Sequence, residues 1–293
     1  MKKGFYTALG TPLDNDGNVV EESMIRHIEQ QIEAGASGLL VMGSMGGGTY
    51  IKNNTYARVA EVSAKAAAGR IPVLIGVTDI SIGRVMDRIE AVSYIDGIAG
   101  VASTVPYYAT VNQNHIYNFY NEIANQSKFP VYLYDLAVIT KAATNPDTIQ
   151  KLWKNPNIKG IKSGNIVTLR TLLHDVERPS DFTMMYSNID TFDIAYKYGI
   201  DKNLDGMFSC TPKTAKKMYN ALDSGDDAAA AKALDAILAL RDLLVESKEL
   251  KAAFTHAMNL LGCSGNFATD YAVAISDAYK EKITASMQAM GEI

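Results

Sequence analysis

The chain has 293 residues, a formal net charge of -4, 47% hydrophobic and 20% charged side chains. That balance offers no basic excess to grip nucleic acid or an anionic membrane surface, and no apolar run approaches the length of a bilayer span. The length suits an α/β barrel with an addition.

Short apolar runs alternate with longer amphipathic ones from the N-terminus. Strands are expected at Phe5 to Leu9, Gly38 to Met42, Pro72 to Val77, Gly97 to Ser103, Pro130 to Tyr134, Ile158 to Lys162, Phe182 to Tyr186 and Gly206 to Cys210. Helices are expected at Glu21 to Ala34, Asn53 to Ala68, Ile82 to Ile95, Asn114 to Asn125, Pro146 to Trp153, Val167 to Val176, Thr191 to Tyr198 and Pro212 to Leu222. Asn145 and Thr211 stand before prolines as N-cap candidates. Parallel strands need crossover helices, and eight such units close a sheet, so the pattern predicts a (β/α)8 TIM barrel over residues 1–225. An open doubly wound sheet is the alternative, but it does not usually carry eight evenly spaced units. Three further amphipathic stretches, Asp226 to Val245, Ser247 to Leu261 and Thr269 to Met290, predict a C-terminal helical extension over residues 226–293, expected to pack or to oligomerise.

Cys210 and Cys263 form neither a CxxC pair nor a disulfide framework, and no secretory leader pattern is present, which points to a reducing, cytoplasmic setting. His27, His115, His174 and His256 lack metal-ligand spacing, so no metal is expected.

Active sites of such barrels lie at the carboxyl ends of the strands. The sixth strand ends in Gly160-Ile161-Lys162-Ser163, where period-2 alternation puts Ile158, Gly160 and Lys162 on one face. An ammonium facing a barrel interior is costly, and burial favours the neutral amine that attacks carbonyls; a strand-end lysine snorkelling to solvent is the plainer alternative. Tyr134 shares parity with Tyr132 and is expected near Lys162, either as a proton donor and acceptor or as a core aromatic. The second strand runs into Gly43-Ser44-Met45-Gly46-Gly47-Gly48, whose open backbone N–H groups suit a small carboxylate or phosphate. The turn has neither the GK[ST] of a P-loop nor the GxGxxG of a dinucleotide fold. The fourth strand leads into Pro106-Tyr107-Tyr108.

In order and spacing these segments, with Ala8-Leu9-Gly10-Thr11-Pro12 and Val105-Pro106-Tyr107-Tyr108, resemble the dihydrodipicolinate synthase and N-acetylneuraminate lyase family of pyruvate-dependent class I aldolases over nearly the whole chain. The resemblance implies that Lys162 forms a Schiff base with a 2-oxo acid and needs no cofactor. It implies that Tyr134 is the general acid/base, with Ser44 and Tyr108 completing a proton relay, Tyr108 reaching into a neighbouring subunit and Tyr107 packing at the interface. The amides of Ser44 and Met45 would hold the substrate carboxylate, and Phe208 would supply an apolar wall. The assembly implied is a homo-oligomer, a dimer of dimers.

The chain also departs from the family pattern. Met45 replaces a hydroxyl, Gly47 an acid, and Asp135-Leu136-Ala137 an Asn-x-Pro segment. Ile139 stands where the synthase branch has an arginine for the semialdehyde carboxylate, and an aliphatic side chain makes no bidentate contact. The expected activity is therefore aldol cleavage of a 2-keto-3-deoxy sugar acid or a sialic-acid-like substrate, with 4-hydroxy-tetrahydrodipicolinate synthase second and a catalytically silent oxo-acid-binding barrel third. Ser163, Ser187, Asn188, Asp190 and Ser209 are candidate partners for a polar substrate tail, or else turn residues. Asp135 is expected to tune Tyr134, contact substrate or cap local backbone.

Overall fold

The structure is a computed structural model that describes all residues, 1–293. Eight parallel strands, β1 (Gly4–Ala8), β2 (Gly38–Val41), β3 (Val73–Gly76), β4 (Ile98–Ser103), β5 (Val131–Asp135), β6 (Ile158–Ser163), β7 (Thr183–Tyr186) and β8 (Lys202–Asp205), close into a barrel in sequence order. Helices α1 (Glu21–Glu33), α2 (Asn53–Ala67), α3 (Ile82–Ala91), α4 (Gln113–Gln126), α5 (Ala137–Thr140), α6 (Pro146–Leu152), α7 (Ile166–Leu173), α8 (Phe192–Lys197) and α9 (Pro212–Ser224) form the connections and outer ring. The chain ends in α10 (Asp227–Glu246), α11 (Leu250–Leu260) and α12 (Asp277–Met290), with α10 packed along α9 and α11 against α12. No helix is long and apolar enough to cross a membrane.

Strands covered on both faces read as apolar runs because each face meets a different core. The lumen is filled by nine residues: Tyr6, Ala8, Leu40, Leu74, Ala102, Tyr132, Tyr134, Met185 and Leu204. A far larger cluster of 72 buried residues fills the layer between strands and helices and extends into the C-terminal helices. Inside the lumen large rings sit over missing side chains. A Cβ on Gly100 would lie 2.8 Å from the Tyr132 ring, and one on Gly160 would lie 2.9 Å from that ring and 2.4 Å from the Thr183 carbonyl, so glycine is what lets the ring lie flat on the wall.

Several expectations fail locally. The eighth strand is Lys202–Asp205 rather than Gly206 to Cys210. Its Lys-Asn-Leu-Asp sequence carries no alternating apolar signal, and the apolar residues after it, Met207–Ser209, wind into a 3-10 turn whose first N–H is taken by the Asp205 carboxylate at 2.8 Å. Ile158 does not share a face with Lys162. The β5–β6 register slips after the pair Val131 and Ile158, so that Tyr132 meets Gly160, and Ile158 joins the outer layer while Gly160 and Lys162 keep the inner face. Asn145 and Thr211 precede helices, but their side chains accept no capping hydrogen bond. Caps are made instead by Ser81, Asn165 and Asp226, and by Asn112 in a reciprocal capping box with His115. α12 begins at Asp277, later than the expected Thr269, and the single-turn α5 was not expected.

Candidate active site

Parallel pairing of β5 with β6 places Tyr134 beside Lys162 and Asp135 beside Ser163. Lys162 is 7% exposed, and its Nζ sits 3.8 Å from the centroid of the Tyr134 ring, a cation–π geometry that holds the nitrogen at the top of the lumen. Lys162 makes no ion pair. The carboxylate that feels its charge is Asp205, the last residue of β8; burial raises the Asp205 pKa, while the Met207 N–H and the charges of Lys162 and Arg241 pull it back. The Tyr134 hydroxyl lies 3.3 Å from Ser44 Oγ, so three of the expected residues, Lys162, Tyr134 and Ser44, converge at the carboxyl end of the barrel.

The turn after β2 is shaped by close approach. A Cβ on Gly48 would lie 2.0 Å from the Met42 carbonyl, and one on Gly46 would lie 2.6 Å from the Leu9 carbonyl. Met42 itself takes a left-handed φ of 55° to start the turn. The N–H groups of Ser44, Met45 and Gly46 find no acceptor in the chain, which leaves them available to an anion. Two cations grip the carbonyls of the same turn from outside the barrel. Arg88 of α3 donates to the Gly48 carbonyl at 2.6 Å, and Lys251 of α11 donates to the carbonyls of Ser44 at 3.1 Å and Met45 at 2.5 Å. Arg88 is in turn paired with Asp79 at 2.9 Å. Burial pulls the Lys251 pKa down to about 8.

Other expected residues lie elsewhere. Phe208 is fully buried and packs edge-on to Phe5 at 5.6 Å in the outer layer; the displaced β8 turns it away from the lumen, so it is not a wall of the site. Met45 packs against both the lumen cluster and the outer layer, and a Cβ on Gly206 would lie 2.6 Å from its Cε. Asp135 faces outward, as its parity opposite Tyr134 requires. It accepts from Ser163 Oγ at 2.8 Å and from the Thr144 N–H at 3.1 Å, which makes it a clip between β5, β6 and the loop after α5. Burial raises its pKa. Ser163 is thereby spent, and Ser209 is equally spent on the Ala8 carbonyl at 2.9 Å. Asn188 uses its side-chain oxygen on the Asp190 N–H at 3.2 Å, and Asp190 is paired with Arg241 at 2.7 Å. Ser187 remains half-buried after β7 without a side-chain partner. Ile139 in α5 is 57% exposed, and Tyr107 and Tyr108 in the loop after β4 are 36% and 89% exposed. Neither tyrosine bonds to Ser44 or Tyr134 within the chain.

Lys251, which bonds the turn after β2, and Asp205, which feels the charge of Lys162, are neighbours of these residues that local pattern misses. Lys251 lies in an Ala- and Leu-rich helix expected only to pack, and Asp205 lies before the expected strand rather than at its end. A surface cavity of about 500 Å³ between α1, α9 and the C-terminus is lined by Lys213, Lys216 and Lys217, but Lys213 and Lys217 are taken up by the Glu292 and Met290 carbonyls.

The family model of the dihydrodipicolinate synthetase family matches residues 1–290. Among curated proteins, the 4-hydroxy-tetrahydrodipicolinate synthase of Phenylobacterium zucineum is 26% identical over 294 residues, covering 100% of this chain and 99% of that protein. The protein of the same name from Laribacter hongkongensis is 28% identical and covers 99% of each chain. Among solved structures, a prophage protein of the family from E. coli K12, in complex with pyruvate, superposes with a TM-score of 0.88 at 20% identity and covers 100% of each chain. The dihydrodipicolinate synthase of Bacteroides thetaiotaomicron gives a TM-score of 0.84 at 24% identity, covering 98% of each. With the family model spanning all but the last three residues, the chain belongs to the dihydrodipicolinate synthetase family and is a carbon–carbon lyase of the pyruvate-dependent class I aldolase type.

Proposed function

We propose that Lys162 forms an imine with pyruvate and that the resulting enamine adds to an aldehyde, first among them aspartate semialdehyde, in the 4-hydroxy-tetrahydrodipicolinate synthase reaction. The observation that carries the imine is the lysine nitrogen 3.8 Å from the Tyr134 ring at the mouth of a closed barrel. The choice of acceptor rests on the names of the curated relatives, which favour the condensation over the sugar-acid cleavage expected first.

Pyruvate's carboxylate docks on the free amides of Ser44, Met45 and Gly46, which brings its keto carbon to Lys162. The unprotonated amine attacks, and the carbinolamine loses water with Tyr134 passing protons. The protonated imine is an electron sink, so the adjacent methyl loses a proton to give the enamine without a metal or other cofactor. Ser44 relays protons between Tyr134 and solvent, or to Tyr108 supplied by a second copy of the chain. The high exposure of Tyr108 in the single chain favours that role, with Tyr107 packed at the interface of a homo-oligomer, a dimer of dimers. Met45 forms the apolar wall beside the pyruvate methyl.

A second reading keeps the same imine and reverses the reaction on a 2-keto-3-deoxy sugar acid. Ile139 supports it: a half-exposed aliphatic side chain offers the semialdehyde carboxylate no donor. Borohydride with pyruvate is expected to add one pyruvate-derived mass at Lys162; no addition would reject the imine. Pyruvate consumption with aspartate semialdehyde, compared with pyruvate release from a panel of sugar-derived 2-oxo acids, then decides between the acceptors.

A further inference from the structure

Resting on the pyruvate reading above, we propose that Lys251 of the C-terminal extension is a positioning residue that fixes the substrate carboxylate by orienting the turn after β2.

Lys251 stands some 200 residues from that turn, yet its ammonium reaches the Ser44 carbonyl at 3.1 Å, the Met45 carbonyl at 2.5 Å and the Met45 sulfur at 3.4 Å. It has no carboxylate partner, so these backbone oxygens are its only strong acceptors. A trans peptide carries its C=O and the following N–H on opposite sides. Holding the Ser44 carbonyl therefore turns the Met45 N–H away from Lys251, and holding the Met45 carbonyl turns the Gly46 N–H away. These are two of the three amides left without an acceptor in the chain. A cation on each carbonyl also polarises its peptide and strengthens the opposite N–H as an anion donor.

Burial of this ammonium is expensive, and burial alone lowers its pKa to about 8. Gly46, Gly47 and Gly48 follow directly, and the wide φ/ψ range of glycine leaves the peptide planes of such a turn to be fixed by its hydrogen bonds and contacts. Further along the turn the Thr11 hydroxyl donates to the Gly46 carbonyl at 2.8 Å and Arg88 to the Gly48 carbonyl at 2.6 Å, but Lys251 alone holds the carbonyls of Ser44 and Met45 with a cation. The appended helices thus reach the site through one side chain, in addition to packing.

The test compares imine trapping by borohydride with two ketones, pyruvate and acetone, which lacks the carboxylate. Lys251→Met, similar in shape and uncharged, is expected to raise the pyruvate concentration for half-maximal trapping by about tenfold, the scale of one hydrogen bond to a charged group. The acetone requirement and maximal trapping at saturating pyruvate should stay as in the wild type. Lys251→Arg, which keeps charge and donors, should keep the wild-type ratio between the two ketones. An unchanged pyruvate requirement in Lys251→Met, an equal loss for both ketones, or a Lys251→Arg ratio as altered as that of Lys251→Met would each overturn the proposal. Absence of trapping in the wild type would instead overturn the pyruvate reading itself, and this inference with it.

Discussion

The lumen and the strand–helix layer are built by the same eight strands, yet they divide the work almost completely. Along β6, Ile161 points outward into the cluster of 72 residues, and the next residue, Lys162, points inward to the cluster of nine. Along β5, Val131 and Leu133 serve the outer layer while Tyr132 and Tyr134 serve the lumen. The outer face carries most of the apolar burial, so the inner face can afford glycines, a lone lysine and unspent backbone amides. Stability and chemistry sit on alternate residues, separated by a single Cα.

Substitutions at neighbouring positions should therefore give opposite phenotypes. The largest effect is expected from Lys162→Ala, which removes the only side chain able to form the imine; activity should fall to background with the melting temperature kept or raised, as activity assay and thermal melt will report. Its neighbour Ile161 is fully buried outside, so Ile161→Ala should cost about 2–5 kcal/mol in denaturant unfolding while the folded fraction still traps pyruvate. If Ile161→Ala lost imine formation at full folding, the division of labour would be wrong. Tyr134→Phe keeps the ring under the lysine nitrogen and removes the hydroxyl that meets Ser44; turnover is expected to fall by about 10² with trapping retained, and wild-type turnover would remove Tyr134 from the proton relay.

The smallest effect belongs to Asp135, a charge on the outer face. Its folded pKa is raised above the unfolded value by burial, so its contribution to stability is fully present below the unfolded pKa and is lost as pH rises through the folded one. Asp135→Asn should remove that slope. At neutral pH it should change stability by less than about 1 kcal/mol, since an amide still accepts from the Thr144 N–H and donates to Ser163. A pH series of urea melts checks both statements.

Seven of the strands are visible in the sequence because buried parallel strands are short apolar runs bounded by turns, and the C-terminal helices are visible through their period. β8 escapes that logic. Lys202 and Asp205 are half-buried at its ends and only Leu204 joins the lumen, whereas the apolar Met207 and Phe208 beside it belong to a turn. The same shift sends Phe208 outward and puts Asp205 at the end of β8, one residue past lumen-facing Leu204, where it feels the charge of Lys162. Lys162, Tyr134 and Ser44 are legible through the order and spacing of their segments near the strand ends, which resemble the family; taken singly each could be a packing or turn residue. Asp135 is legible in place but not in role, since its partners Ser163 and Thr144 come from other segments. Lys251 is invisible from local pattern because its acceptors are main-chain oxygens far along the chain.

The thinnest ladder of the barrel lies between β7 and β8, while β8 closes the ring on β1 at four register positions. β5 and β6 are matched at five register positions from Val131 to Asp135, whereas β7 and β8 are matched only at Tyr186 and Asn203. Asn203, fully enclosed, finds no partner for either atom of its amide. Few cross-strand bonds and an unsatisfied polar group lower the cost of local opening, so this cylinder has a zip. Met185, the register partner of Lys162, stands on one side of it and Asp205 on the other, so the barrel wall beside the reactive nitrogen is the one held by the fewest register pairs.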